Sequence, residues 1–164
     1  MKRLRPSITL LILLIFTSAA WADFEQATQA YKMKDFKTAL EEFRTLARAG
    51  DARSMFNLGN MYRRGEGIPV SMKDAARLYQ AAAERGHSQA QNSLGIMYAT
   101  GNGVKTNDLE AYAWFTVAAL QGNKEAKENA EFAASLLSKR RLISGQLMAR
   151  QYFESYVGSL TKNQ

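Results

Sequence analysis

The chain has 164 residues, no cysteine, a single histidine and a formal net charge of +7. Without cysteine it can form neither a disulfide framework nor a thiolate metal site, and one histidine leaves little for a metal cluster or a histidine-based triad. Lys2, Arg3 and Arg5 account for three of the charges and the remaining +4 is spread along the chain, which gives no sign of nucleic-acid binding.

The first predicted element is an address. A basic stretch at Lys2, Arg3 and Arg5 precedes an apolar run from Ile8 to Phe16, and Ala20-Trp21-Ala22 supplies the small residues of a cleavage site. The run is shorter than the ~20 residues that a membrane-spanning helix needs. The expectation is a signal peptide over 1–22, cut after Ala22, with a mature protein running from Asp23 to Gln164 in the periplasm. No stable membrane insertion is expected after cleavage, and with no cysteine behind the apolar run there is no lipid attachment through one.

From 36 onward the chain repeats every 36 residues. Gly50, Gly86 and Gly122 share one register, as do Asp35, Ser71 and Asn107. The second trio are good N-caps, with Asp74 and Glu110 three residues after the last two, so helices should begin near 36, 72 and 108. The glycines suit the left-handed residue that closes a helix. Asp51, His87 and Asn123 then lead into a second set of helices, whose buried sides carry Leu58/Leu94, Met61/Met97 and Tyr62/Tyr98. Gly65-Glu66-Gly67 and Gly101-Asn102-Gly103 read as the turns back. Each lacks the preceding strand and the third glycine of a dinucleotide site.

Ala39, Ala75 and Ala111 are expected opposite the bulky Phe43, Tyr79 and Phe115, as large against small. Gly59 and Gly95 fall inside helices, where each costs about 1 kcal/mol relative to alanine. That cost at two equivalent places implies a backbone pressed against its neighbour. The first unit differs: Tyr31 lies eight positions before Ala39, whereas Tyr62 lies thirteen before Ala75, so a tight connection over 31–36 replaces the Gly-x-Gly turn. At the far end Ser138 could cap a helix over 139–157 whose Leu142, Leu147, Tyr152, Phe153 and Tyr156 cover the stack. Lys139, Arg140 and Arg141 read as a solvated basic cluster facing the end of the preceding helix. Tyr62, Tyr79, Tyr98, Trp114 and Phe115 read as core, and His87 as a helix-entry residue.

Leu-Gly-x-x-Tyr at 58–62 and 94–98, Gly-x-Gly-(Ile/Val) at 65–68 and 101–104, and Ala-x-x-x-(Tyr/Phe)-x-x-Ala-Ala at 75–83 and 111–119 together resemble the Sel-one-like repeat family, a relative of the tetratricopeptide repeat. The fold expected is all-α: an α-solenoid of antiparallel helix hairpins, about eight helices, wound as a right-handed superhelix. Residues 23–49 form a tetratricopeptide-like hairpin, 50–126 two Sel-one-like repeats and 127–164 the capping helices. The resemblance implies a scaffold or adaptor that binds another protein. The lone histidine and the lack of a recurring acid pair point away from an enzyme, and the expectation is a monomer that uses no cofactor.

By analogy with such stacks, the first helix of each pair lines the inner face. The candidate partner-binding residues are Arg53, Phe56, Asn57, Asn60, Arg63 and Arg64, then Gln89, Asn92, Ile96 and Thr100. Alternative readings are an anionic envelope polymer as ligand, a toxin-immunity protein, or a wall-active or β-lactam-hydrolysing enzyme. The last is linked to cysteine-rich members of the family, and this chain has no cysteine.

Overall fold

The computed structural model describes residues 23–158, so the signal-peptide expectation lies outside the described residues. They form eight helices and no strand: α1 (23–32), α2 (Phe36–Arg48), α3 (Ala52–Arg64), α4 (Met72–Ala83), α5 (Ser88–Thr100), α6 (Asp108–Leu120), α7 (Lys124–Leu136) and α8 (Lys139–Tyr156). None of these helices is long and apolar enough to cross a membrane. Each of α2 to α6 packs on the next in sequence, and α6 also carries both α7 and α8, making an α-solenoid of helical repeats.

Local chemistry places the boundaries. Asp35, Ser71 and Asn107 cap α2, α4 and α6, beginning the helices at 36, 72 and 108 as the sequence predicts. Ser71 accepts from the Asp74 N–H (3.2 Å) while its hydroxyl donates to the Asp74 carboxylate (2.6 Å). At the other junctions one residue does two tasks. The backbone N–H groups of Asp51, His87 and Asn123 donate to Leu46, Ala82 and Ala118, closing the helix behind. Their side chains accept from Ser54, Ala90 and Ala126, opening the helix ahead. The glycine between the two has φ of +96°, +80° or +86°, a conformation that costs a Cβ-bearing residue about 1–2 kcal/mol.

Packing between paired helices runs through Gly59 and Gly95. A Cβ on Gly59 would lie 2.8 Å from the Tyr79 ring, and one on Gly95 would lie 2.6 Å from the Phe115 ring. This corrects one expectation. Ala75 and Tyr79 are neighbours on the same face of α4, and the small residue facing Tyr79 is Gly59 across the helix pair. Gly67 and Gly103 make a second backbone contact that the sequence reading missed. The turn after α3 sits on the start of α2, where a Gly67 Cβ would lie 2.8 Å from Phe36 Cβ. The turn after α5 sits on the start of α4, and there Gly103 meets the Met72 backbone so closely that no side chain fits.

Buried Gln91 ties three helices. Its amide donates to the Ala83 carbonyl at the end of α4 (3.0 Å), and its carbonyl accepts from Gln121 just after α6. Ser138 caps α8 as expected. Trp114 is buried against Tyr152 and Tyr156 (4.7 and 5.7 Å between centroids), which also touch each other (5.8 Å), and Tyr152 donates its hydroxyl to Glu110 (3.1 Å). One expectation for this end is corrected. Leu147 is 64% exposed, because the packed face of α8 is set by Leu142, Gly145, Ala149 and Tyr152 at three- and four-residue spacing. Lys139, Arg140 and Arg141 are exposed as expected, and Arg141 pairs with Asp108 at the start of α6 (3.4 Å).

Candidate partner-binding groove

Because α3, α5 and α7 recur in one register, equivalent side chains form rows across the stack. A groove of about 350 Å³ opens along these rows. Arg63 lies at its α3 side, Asn92, Ser93, Ile96 and Thr100 line it from α5, and Glu125 contributes from α7. Met72, Met97 and Asn102 complete the lining.

At the α3 side stands Tyr79. Its ring is buried against Gly59, and its hydroxyl donates to Asn60 Oδ1 (2.7 Å) and accepts from Arg63 Nε (3.2 Å). Burial pushes the phenol pKa above its ordinary value, against the opposing pull of Arg63, so the hydroxyl stays protonated at neutral pH. The guanidinium is thereby anchored through Nε with its two terminal nitrogens left for a ligand. Among the described residues Arg63 has no carboxylate within ion-pair range. Such a fork suits a carboxylate.

Of the ten residues proposed from sequence, Arg63, Asn92, Ile96 and Thr100 line this one groove, and Asn60 supports it through Tyr79. Asn92 is only 5% exposed, with its oxygen taken by Asn129 Nδ2 (3.0 Å). Phe56 is turned into packing, stacked on His87 (4.8 Å) and against Tyr79 (5.7 Å). Arg53 pairs with Asp51 (2.9 Å) and lies over the Phe24 ring (4.0 Å). Arg64 reaches the other way, donating to the Tyr31 hydroxyl (2.9 Å). Gln89 is exposed at the start of α5, and Asn57 is half-buried on α3.

The sequence reading missed the Tyr79 hydroxyl, since the residue type and spacing announce only a core ring. It also stopped one repeat short. Carrying the register onward from Gln89, Ile96 and Thr100 gives Glu125, Phe132 and Leu136, and the last two are both 68% exposed. Two of the rows therefore pass from polar or cationic at α3 to apolar at α7, and the third ends in the acidic Glu125.

A family model described as the Sel1 repeat matches residues 52–87 and 88–123, so each match begins at the first residue of α3 or α5. Among solved structures, a Sel1 repeat protein from Oxalobacter formigenes superposes with a TM-score of 0.64 at 30% identity, covering 73% of this chain and 96% of that one. The chain belongs to the Sel1 repeat family. A second Sel1-type relative, a protective antigen of uropathogenic Escherichia coli displaying an SLR fold, superposes with a TM-score of 0.81 at 32% identity over 85% of this chain. The chain spans 31% of that longer protein. No curated protein matches. Sel1 repeat proteins are generally scaffolds for protein–protein interaction, and the fold is typically non-catalytic.

Proposed function

We propose that this protein is an exported scaffold of the periplasm, released by cleavage after Ala22, that holds an envelope protein, sensor domain or secreted effector in the groove between α3 and α7. The observation that carries the reading is Arg63, anchored by the Tyr79 hydroxyl and left without an acid of its own beside the apolar Ile96. A segment with an acidic residue followed by apolar ones would pair with Arg63 and lay its apolar part along Ile96, Phe132 and Leu136. Glu125 in the same groove disfavours a polyanion, which would meet a like charge there.

The test is crosslinking in intact cells with the parent and an Arg63→Glu, Ile96→Asp, Thr100→Glu variant. These positions are exposed, whereas a charge at buried Asn92 would disturb folding as well. The expected result is a partner held by the parent and lost by the equally helical variant, with the recovered chain beginning at Asp23. Capture of the same partners by both would refute the groove, and a chain retaining residues 1–22 would refute release.

A further inference from the structure

The face of α7 that follows the helix-pair pattern is open. In α3 the face formed by Met55, Leu58, Gly59 and Tyr62 is covered by antiparallel α4, and the equivalent face of α5 is covered by α6. In α7 the same four positions are Lys127, Ala130, Glu131 and Ala134. The glycine that admits an aromatic ring has become glutamate, and the leucine and tyrosine have become alanine. The next helix, α8, goes elsewhere and packs on α6, with Gly145 against Tyr112. What remains is a cleft of about 370 Å³ between α6 and α7, lined by those four α7 residues and by Tyr112, Thr116, Ala119 and Leu120 of α6.

The repeat itself shows what fits such a face, namely an antiparallel helix. The lining also carries both halves of a contact. Ala130 and Ala134, half-buried beside Tyr112, leave hollows in the cleft wall, and Leu120, 62% exposed, is a projection. Lys127 and Glu131 are exposed opposite charges one turn apart, and among the described residues neither has an ion-pair partner. Two α7 helices related by a two-fold axis would set Lys127 of each against Glu131 of the other, a self-complementary pattern. We infer that the occupant is a second copy of this chain, whose α7 lies antiparallel in the cleft and makes a two-fold dimer, in place of the monomer expected from sequence. The dimer uses a different face from the groove holding Arg63, so each reading can fail without the other.

Sedimentation velocity over a concentration series tests it. The parent should dimerise reversibly, and Lys127→Glu or Glu131→Lys alone should weaken association by about tenfold or more, since each sets two like-charged pairs face to face. Mixing the two single variants should restore dimers, because each then supplies the charge that the other needs. This recovery also shows that both variants are folded. A parent that stays monomeric throughout, a dimer indifferent to either substitution, or a mixture that stays monomeric would each overturn the proposal. So would a monomer whose cleft is filled by a helix of a different protein.

Discussion

His87 shows how one side chain can be both structural and titratable. Its Nδ1 accepts from the Ala90 N–H (3.2 Å), which requires the neutral ring, and the ring stacks on Phe56. Burial pushes its pKa below the ordinary value, and Arg53 adds to this, against the Asp51 carboxylate pulling the other way. The unfolded chain therefore takes up the proton first as pH falls. The contribution of the neutral cap is fully present above about pH 6.5 and is lost progressively below it. Asp51 is partly buried, yet bonds from Arg53 and Ser54 hold its carboxyl below the usual range, so it does not titrate in this window. His87→Asn, the residue that stands at 123, should keep the cap and flatten the fall in Tm between about pH 7.5 and pH 5. An unchanged slope would show that another group is responsible. Gly95 sets two known magnitudes against each other. A larger residue gains about 1 kcal/mol of helix propensity but must displace the Phe115 ring, and overpacking costs about 1–3 kcal/mol or more. Gly95→Leu should thus melt below the parent by urea or heat, and a parent-like midpoint would mean that the ring moves aside freely.

Among the elements, α8 departs furthest from the repeat. It is fastened to α6 chiefly by the stack of Trp114 with Tyr152 and Tyr156 and by Ala149 against Ala113 and Val117. Trp114→Ala should cost about 3–5 kcal/mol and speed amide exchange over 139–156, while α2 and α3 keep their protection. Equal loss of protection at both ends would show that the stack melts as one unit instead of by neighbours. The helix starts were legible in the sequence because a cap is local: Asp35, Ser71, Asn107 and Ser138 each act within four residues of themselves. The direction of α8 was not legible, since it depends on Glu131 standing where the earlier repeats have a ring-accepting glycine and on Tyr112 of α6 receiving Gly145. Leu147 misled for the same reason, being an apolar residue judged without knowing which side of α8 is covered.

Across the whole molecule, three rows of side chains turn a one-dimensional repeat into a graded surface. Asn60, Ile96 and Phe132 form one row, Arg64, Thr100 and Leu136 another, and Arg53, Gln89 and Glu125 a third. The 36-residue period was enough to place residues in these rows. It could not say that Arg53 and Arg64 are drawn off to Asp51 and Tyr31, nor that Tyr79 reaches in from α4 to hold Arg63. Those facts depend on side-chain length and on which neighbour lies nearest. The seating of Gly67 on the start of α2 and of Gly103 on the start of α4 has a consequence for how such a surface can change. Successive units are spaced there by glycine main chain lying on the main chain and, at Gly67, on the Cβ of the helix start beneath it. The step from one repeat to the next is then largely indifferent to what the rows display. A lineage could exchange residues such as Ile96 or Phe132 and acquire a different ligand while its units remain in register.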